Sequence, residues 1–343
     1  MTSHLRDKPA SESAESSLLV SIVNWKTADL TIGCLHSIAE EISDLPQCHV
    51  IVVDNGSPDQ SADQISDAIQ KNEWGSFVTL VRLTDNRGFA AGNNAAIRAG
   101  LEARPQTAHV LLLNPDTIVR HGAIPTLIHF MQTHDDIGIA GGRSEDPDTT
   151  PQHCCFTFPN IVGEAASATN VGLIRRLLKS RITHIPIPEE PSQVDWVSGA
   201  FMIVRTDVLH EVGLLDESFF LYFEETDFIL RARRAGWPCW HVPQSRIVHL
   251  VGQSSGVTRR DQLPKRVPNY WYESRTRYFV MNHGRAYAAV TDLLVVLASC
   301  LSLVRGMIQR EAPRNPPYFI RDLLRSSALF GGARSRKRRQ TSF

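Results

Sequence analysis

Short apolar runs that end in polar turns recur along the first half of the chain. Four of them, at residues 18–25, 50–53, 77–83 and 110–113, predict strands, and the continuous apolar run 110–113 predicts a buried strand of a parallel sheet. Amphipathic segments with helical spacing separate them, the first with Leu30, Leu35 and Ile38 on one face. This alternation of strand and helix predicts an α/β fold built on a doubly wound sheet.

The pattern continues with a helix at 124–133 and a strand at 137–142, and then weakens. Six prolines interrupt residues 143–193, which predicts a long, partly ordered insertion over one face of the sheet, with a short basic helix near 173–179. Long loops of this kind often form lids or binding walls. The insertion is therefore a candidate wall of a binding site.

Regular patterning returns after the insertion. Residues 194–204 have strand character, 207–212 form a short helix, and 219–236 begin extended and become helical, with Gly236 at the helix end. Residues 239–243 and 246–250 are predicted to be two short strands or a strand and a loop, and a helical region begins near residue 270. The prediction is a mixed sheet flanked by helices, followed by a helical C-terminal extension.

Composition narrows the classes of protein. The 343-residue chain is 42% hydrophobic and 21% charged with zero formal net charge, so nothing points to nucleic acid as a partner. The six cysteines show no zinc-binding spacing, which favours reduced thiols in the cytoplasm. Residues 1–17 lack the apolar core of a secretory signal and are expected to be a disordered lead-in.

Candidate chemistry collects behind the predicted strands. Asp54, the segment 86–94 and the segment 114–116 each follow a parallel strand, and ligands bind at that edge of an open sheet. Gly88 and Gly92 would allow backbone amides to approach a ligand, and tight helix packing is the alternative explanation for both glycines. No GxGxxG follows the first strand and no GK[ST] occurs, which argues against dinucleotide and P-loop sites.

A metal-bridged diphosphate fits these residues better. Mg²⁺ or Mn²⁺ prefers carboxylate and phosphate oxygens, and Asp116 offers a carboxylate just beyond a central strand. His249 is a candidate second ligand, since imidazole suits Mn²⁺. The competing interpretation of His249 is a buried, hydrogen-bonded histidine.

An acidic cluster, Glu224-Glu225-Thr226-Asp227, follows an aromatic run at a predicted helix start. Acidic residues stabilise a first helical turn through the helix dipole, and Asp227 and Arg231 have the spacing of an ordinary ion pair. The aromatic surroundings suggest a second role, because burial raises a carboxyl pKa and makes it a better base.

Seven segments carry a family resemblance. In chain order they are LLVSIVNW, VIVVDNGSPD, DNRGFAAGNNAAI, LLLNPDTIV, WVSGAFMIVR, GLLDESFFLYFEETDFILRARRAGW and RIVHLVGQSS. The chain resembles family 2 glycosyltransferases, and within them the bacterial rhamnosyltransferase type, over about residues 18–255. The resemblance implies a GT-A fold and an inverting transfer of sugar from a nucleotide-diphosphate donor to a hydroxyl of a glycan or lipid-linked glycan.

The resemblance also assigns roles. Asp54 matches a nucleotide contact, and Asp116, in Asn114-Pro115-Asp116, matches the metal ligand of an Asp-x-Asp motif that His249 completes. Glu225 stands where the family has an aspartate general base; its side chain is one methylene longer, and Glu224 is the alternative base. The remaining predicted residues are Asn24, Asn86, Gly88, Asn93 and Asn114 around the nucleotide and Trp196, Ser198 and Gly199 around sugar and acceptor.

The C-terminal region suggests a membrane surface. Residues 286–304 are mostly apolar but contain Asp292, which would be costly at a bilayer centre, so a helix packed on the domain or lying in the interface is expected rather than a span. Basic residues follow at 334 and 336–339, and such segments are attracted to anionic lipid. We expect three segments: lead-in 1–17, GT-A domain 18–255 and extension 256–343, with peripheral attachment at the cytoplasmic membrane face.

Two other functions remain open on the sequence. A nucleotidyltransferase could use a similar sheet, but it would want a Gly-rich loop after the first strand, and residues 18–29 lack one. A nucleotide-sugar-binding protein without catalysis is compatible with glutamate at position 225.

Overall fold

The computed structural model describes residues 17–45, 47–178, 181–250, 265–310 and 315–331. The lead-in 1–16 and the basic tail beyond 331 lie outside them. Within the described residues a nine-stranded mixed sheet and a two-stranded ribbon form the β-structure. The strands are β1 Leu18–Asn24, β2 Cys48–Asp54, β3 Val78–Arg82, β4 His109–Leu113, β5 Thr117–Val119, β6 Ile139–Glu145, β7 Cys155–Phe156, β8 Ser192–Val194, β9 Trp196–Val197, β10 Phe201–Arg205 and β11 Cys239–His249.

The sheet order is β3-β2-β1-β4-β10-β6-β11-β5, with β8 paired to β11. Strands β3, β2, β1 and β4 are parallel neighbours, and β6 and β11 are parallel to each other. Strand β10 runs antiparallel between β4 and β6. The start of β10 therefore lies beside the carboxyl end of β4, which places segment 196–200 next to Asn114.

Helices cover both faces of the sheet, as the burial of whole strands requires. One core layer packs α1, α2 and α4 on the sheet, and the other packs α3, α7 and α8. The helices are α1 Ala28–Ala39, α2 Ser61–Lys71, α3 Phe89–Ala103, α4 Ala123–Thr133, α5 Ile161–Thr169, α6 Gly172–Leu177, α7 Thr206–Val212, α8 Glu224–Arg234, α9 Asn269–His283, α10 Arg285–Gln309 and α11 Phe319–Ser326.

The second half departs from the expected elements in three places. The predicted strand 194–204 is broken into β8, β9 and β10: Asp195, which accepts a hydrogen bond from the Phe158 amide at 2.9 Å, separates β8 from β9, and residues 198–200 separate β9 from β10. The two predicted strands after residue 238 are one strand, β11, with an irregularity between Val242 and Arg246 around Pro243. Residues 219–223 are not a strand.

The insertion is more ordered than expected. Strands β7 and β9 pair in a small ribbon, and helix α5 begins with an Asn160 cap that accepts from the Gly163 amide at 2.9 Å. The predicted basic helix is present as α6. The insertion therefore contributes packed structure beside the sheet.

The C-terminal helices pack on this frame. Phe219 and Leu230 share a buried cluster with Tyr278, Phe279 and Ala288. Helix α10 is long and apolar enough to cross a membrane by length and composition, and 33% of its most apolar window is buried in protein. Packing against the domain confirms one of the two states expected of this segment.

Candidate active site

The carboxyl ends of β1 and β2 meet in a buried polar pair. The Asn24 amide donates to the Asp54 carboxylate at 2.7 Å, and the other Asp54 oxygen accepts from the Ser57 amide at 3.0 Å. The side-chain oxygen Oδ1 of Asn24 accepts from the Thr31 hydroxyl at 3.0 Å. These bonds fix Asp54 at the edge of the sheet where a nucleotide contact is predicted.

The loop before α3 is held by amide side chains. Asn55 donates to Asn86 Oδ1 at 3.1 Å and to the Gly88 carbonyl at 3.0 Å, and Asn86 Oδ1 accepts from the Gly88 amide at 2.9 Å. Gly88 has φ +89°, and a Cβ there would lie 2.2 Å from the Phe220 carbonyl oxygen. Gly88 therefore allows close contact between this loop and the segment that precedes α8.

Two predicted loop residues lie in protein packing. Asn93 is buried, accepting from the Ser21 hydroxyl at 2.7 Å and donating to the Phe89 carbonyl at 3.0 Å. A Cβ at Gly92 would lie 2.7 Å from Val23, so this glycine serves tight packing of α3 on β1. The nucleotide contact predicted for Asn93 stays a prediction.

The candidate metal ligands lie together. Asp116 Oδ1 lies 3.4 Å from His249 Nε2, and the side-chain nitrogen Nδ2 of Asn114 lies 3.5 Å from His249 Nε2. Pairing of β5 with β11 brings His249 opposite Thr117, and the Leu250 amide donates to the Asp116 carbonyl at 2.9 Å. Two residues far apart in sequence are thus held at one point of the sheet edge.

The donor set fits a divalent cation. Two ligands at about 2.1 Å from one ion lie about 3 Å apart at a right angle, close to the observed separation of carboxylate and imidazole. Asn114 Oδ1 is buried and has no hydrogen-bond partner in the described part of the chain, which leaves an oxygen ready to accept. Carboxylate, amide and imidazole groups together are typical ligands of Mn²⁺ or Mg²⁺.

Helix α8 begins with the buried Glu224 and the partly buried Glu225. Burial is the main cause that raises the pKa of both Glu224 and Glu225, and the Glu225 charge raises the pKa of Glu224 further. One carboxylate oxygen of each glutamate lacks a hydrogen-bond partner among the described residues. Either carboxylate could therefore act as a proton acceptor that is more basic than an ordinary glutamate.

The backbone before these glutamates is strained. Tyr222 and Phe223 have φ values of +71° and +69°, which side chains rarely adopt. Such strain costs about 1–3 kcal/mol per residue and concentrates at functional sites. The two residues reverse the chain so that α8 starts with its glutamates directed inward.

Asp227 has a different environment from its neighbours. It forms a 2.9 Å ion pair with Arg231 and accepts from the Asn282 amide at 2.8 Å. Arg231 also donates to the Leu214 carbonyl at 2.8 Å. The ordinary ion-pair interpretation of Asp227 is confirmed.

Segment 196–200 joins the metal ligands to the glutamates. The Asn114 amide donates to the Ala200 carbonyl at 3.0 Å, and the Gly199 backbone lies against Glu225, whose carboxylate it hydrogen-bonds. The candidate metal ligands and Glu225 therefore both lie beside this segment.

The other predicted wall residues lie beside that segment. The Ser198 hydroxyl accepts from the Ala200 amide at 3.3 Å. Trp196 donates to the Thr157 carbonyl at 3.0 Å and stacks on Phe156 at 4.2 Å, so it supports the β7–β9 ribbon. Their contacts with sugar or acceptor stay predictions.

Sequence analysis missed two features of the site. Asn55 organises the loop but follows Asp54 too closely to have been distinguished from a turn residue. Tyr270 of α9 lies 5.5 Å from Phe220 and 6.2 Å from Tyr222, measured between ring centroids. These aromatic rings come from segments 50 residues apart, so no local signal joins them.

A buried group of possible metal ligands also escaped sequence analysis. Ligand atoms of Cys154, Cys155 and His241 lie within 4.8 Å of one another. The pairing of strands brings them together. No local spacing predicts it.

The comparison with protein families places the chain. The profile of "Glycosyltransferase like family 2" matches residues 16–264. The chain belongs to this family and is a glycosyltransferase.

Curated relatives indicate the branch of the family. The chain is 27% identical over 215 residues to an N-acetylglucosaminyl-diphospho-decaprenol L-rhamnosyltransferase of Mycobacterium tuberculosis, covering 60% of this chain and 68% of the relative. It is 23% identical over 266 residues to the dTDP-rhamnosyl transferase RfbF of Shigella flexneri, covering 77% and 81%. Both of these curated relatives are rhamnosyltransferases.

A solved structure shows the same fold. The mannosyltransferase PcManGT of Pyrobaculum calidifontis, solved with GDP-Man and Mn²⁺, matches with a TM-score of 0.54 at 15% identity, covering 93% of this chain and 81% of that one. The curled mixed sheet flanked by helices is the GT-A glycosyltransferase fold, which confirms the predicted fold class.

Proposed function

We propose that this protein is an inverting glycosyltransferase in which Glu225 is the general base and Asp116 and His249 hold a divalent metal. The observation that carries the proposal is the juxtaposition across segment 196–200. A buried carboxylate of raised pKa lies on one side, and a carboxylate–imidazole pair 3.4 Å apart lies on the other. Base and metal ligands at one sheet edge suit a single displacement.

The proposed donor is a nucleotide-diphosphate sugar. Asn24, Asp54 and the loop at Asn86 and Gly88 form the polar edge on which the nucleoside would lie, and the diphosphate would extend toward Asp116. The relatives' names favour rhamnose carried by dTDP. Membership of the family supports sugar transfer in general, and the choice of sugar rests on the relatives.

The metal would be Mn²⁺ or Mg²⁺, as the Mn²⁺ in the related mannosyltransferase structure favours. Asp116 and His249 would hold the ion, with the side-chain oxygen Oδ1 of Asn114 as a further ligand. When bound, such an ion neutralises charge on a diphosphate leaving group.

Glu225 would perform the proton transfer. An acceptor hydroxyl gives its proton to the Glu225 carboxylate while its oxygen forms a bond to the anomeric carbon. The bond from that carbon to the diphosphate oxygen breaks on the opposite face, and the nucleoside diphosphate leaves. Gly199 and the α8 backbone amides orient the carboxylate, and the neighbouring Glu224 is the alternative base.

The proposed acceptor is a hydroxyl of a glycan, and the name of the mycobacterial relative favours a lipid-linked one. A lipid-linked acceptor requires the enzyme to work beside the cytoplasmic face of a membrane. We propose that residues 18–255 carry the transfer and that residues 256–343 form an extension beside it. The boundary between them lies outside the described residues.

Donor turnover without acceptor tests this function. The purified chain is incubated with a panel of nucleotide sugars including dTDP-L-rhamnose, with Mn²⁺, Mg²⁺ or EDTA, and the first anomer of the released sugar is identified by ¹H NMR. We expect metal-dependent release with inverted configuration. Release with retained configuration, or equal release in EDTA, would contradict the mechanism.

A matched pair of variants assigns the metal ligands. Asp116→Asn should abolish the response to Mn²⁺, whereas Asp63→Asn, at an exposed carboxylate on α2, should behave like the unmodified chain. A chain that binds donor tightly but releases no sugar with any acceptor would instead be a binding protein.

A further inference from the structure

Helix α10 has its polar side chains inside and its large apolar side chains outside. A stripe with helical spacing faces the protein and contains Ala288, Thr291, Asp292, Val295 and Ser299. The opposite stripe is exposed along the whole helix and contains Val290, Leu293, Leu294, Leu297, Leu301, Val304 and Ile308. A helix that faces water normally shows the reverse pattern.

The inward stripe is fixed by buried polar bonds. Asp292 accepts from Arg275 at 2.6 Å, and its second oxygen accepts from the Ser327 hydroxyl at 2.7 Å. Arg275 is itself buried and also pairs with Glu164 at 2.7 Å. Turning the helix to hide its leucines would break this network, so the exposed stripe belongs to the folded state.

The apolar surface continues onto the insertion. Leu173 and Leu177 of α6 are 66% and 73% exposed. The end of α5, two residues before α6, is tied to α10, because the Asn170 side-chain amide donates to the Ser302 hydroxyl at 3.2 Å and Arg305 donates to the Asn170 backbone carbonyl at 2.9 Å. The stripe alone extends about 27 Å at 1.5 Å per residue. Contiguous apolar surface of this size is typical of an interaction site.

Positive charge accompanies this surface. Residues 285–343 contain eleven arginines and lysines against three carboxylates, although the whole chain is neutral. Arg305 and Arg310 lie at the C-terminal end of the stripe, and the exposed Arg176 lies on α6 between the two leucines. Apolar side chains bordered by arginines match an anionic lipid surface.

We propose that the outer face of α10, together with Leu173 and Leu177, docks flat on an anionic bilayer. The helix lies in the interface without crossing it, because Asp292 and Arg275 keep its other face bound to protein. A second copy of the chain would bring the arginines of two molecules together, so the charge favours lipid over self-association. Vesicle binding needs no donor sugar, so this docking stands or falls separately from the proposed chemistry.

Vesicle co-sedimentation of the full chain tests the docking surface. Vesicles of phosphatidylcholine with half phosphatidylglycerol are compared with pure phosphatidylcholine. The variant Leu297→Gln/Leu301→Gln removes two exposed leucines, and Leu177→Gln is a second variant on a separate helix. We expect the double variant to lower the partition coefficient on anionic vesicles at least tenfold, and Leu177→Gln to lower it less.

Two control variants separate the surface from general effects. Ile118→Gln changes an apolar side chain of similar exposure, 41%, on the edge strand β5, and its binding should stay unchanged. Arg310→Gln should weaken binding to anionic vesicles and leave binding to neutral vesicles unchanged. Lys71→Gln, on α2, should leave binding to both kinds of vesicle unchanged. Thermal melts establish that each variant is folded.

Four results would overturn the proposal. One is unchanged vesicle binding by the folded leucine variants, and another is equal binding to neutral and anionic vesicles. The third is a dimer in solution that the double variant dissociates while vesicle binding is absent. Resistance of the bound chain to sodium carbonate extraction would show a spanning helix and would overturn flat docking.

Discussion

Two regions of this molecule bury carboxylates, and they treat them in opposite ways. At the start of α8, burial raises the pKa of Glu224 and Glu225, and an oxygen of each is left without a hydrogen-bond partner among the described residues. In the C-terminal region, Asp292 and Glu164 both bond the buried Arg275, at 2.6 and 2.7 Å. The carboxylate of Asp292, which stabilises the fold, is paired with an arginine. The glutamates proposed for catalysis each keep one oxygen available.

Helix α8 contains both kinds of carboxylate within one turn. Asp227 is paired with Arg231 and Asn282, so it anchors the helix that presents the two glutamates. The strained residues Tyr222 and Phe223 precede them. The ion pair of Asp227 thus holds the helix in place, while Glu224 and Glu225 have no ion-pair partner among the described residues.

The largest expected effect is on catalysis. Glu225→Gln should lower the rate of sugar transfer by about 10²–10⁴, the usual contribution of a general base, because the amide accepts no proton from the acceptor. Its melting temperature should be unchanged or higher, since a buried ionisable group is replaced by a neutral one. Kinetic assays and thermal melts measure the two effects.

The matched control is Glu102→Gln, an exposed glutamate near the end of α3. It should change neither quantity. If the Glu225→Gln enzyme keeps full activity, Glu225 is not the general base, and Glu224 is the remaining candidate.

The opposite outcome is expected in the paired region. Asp292→Asn leaves Arg275 with a missing charged partner in a buried site, which should cost about 3–5 kcal/mol in the free energy of unfolding. Activity per folded molecule should be retained, because the pair lies outside the cleft. Urea denaturation measures the loss.

Asp63→Asn is the surface control, since Asp63 and Arg82 form an exposed pair that should contribute about 0–1 kcal/mol. Equal losses for the two variants would contradict the structural role assigned to Asp292.

A smaller effect is expected where the loop meets the cleft. Gly88→Ala places a Cβ against the Phe220 carbonyl oxygen at a positive φ, so it should weaken donor binding and lower the free energy of unfolding by about 1–3 kcal/mol. Gly122→Ala has a similar φ of +76° and no neighbouring atom within 4 Å. If both alanines had the same effect, the contact with Phe220 would be irrelevant.

The smallest expected effect is on pH dependence. The raised pKa of Glu225 keeps its carboxyl protonated to higher pH than an ordinary glutamate, whose pKa is about 4.3. Activity should therefore fall, as the pH decreases, at a pH above that value. A pH profile of kcat/KM with an acid limb at or below 4.3 would argue that the base is solvated.

The sequence predicted the parallel strands of the sheet and the ion pair within α8 well. Strands β1, β2 and β4 are uninterrupted apolar runs, and such runs leave little choice other than a covered parallel sheet. The Asp227–Arg231 spacing likewise predicted a contact within one helix. Local patterns sufficed where the partners are near in sequence.

Contacts between distant segments could not be predicted from local patterns alone. The proximity of Asp116 and His249 was inferred from a family resemblance, because it depends on the register of β5 with β11. Tyr270, on α9, meets Phe220 only through tertiary packing. The apolar composition of α10 predicted that the helix packs on the domain or lies in a membrane interface. Which of its faces turns toward the protein depends on the bond of Asp292 to Arg275, 17 residues away.

The most direct test of the account is whether a cation and a nucleotide diphosphate bind together through Asp116. The melting temperature is measured with Mn²⁺, with dTDP, and with both, for the unmodified chain, Asp116→Asn and Asp63→Asn, because ligand binding to the folded state raises its stability. We predict a larger rise with both ligands than the two single rises combined, lost in Asp116→Asn and kept in Asp63→Asn. An Asp116→Asn protein with the full combined rise would contradict the proposed metal and donor site.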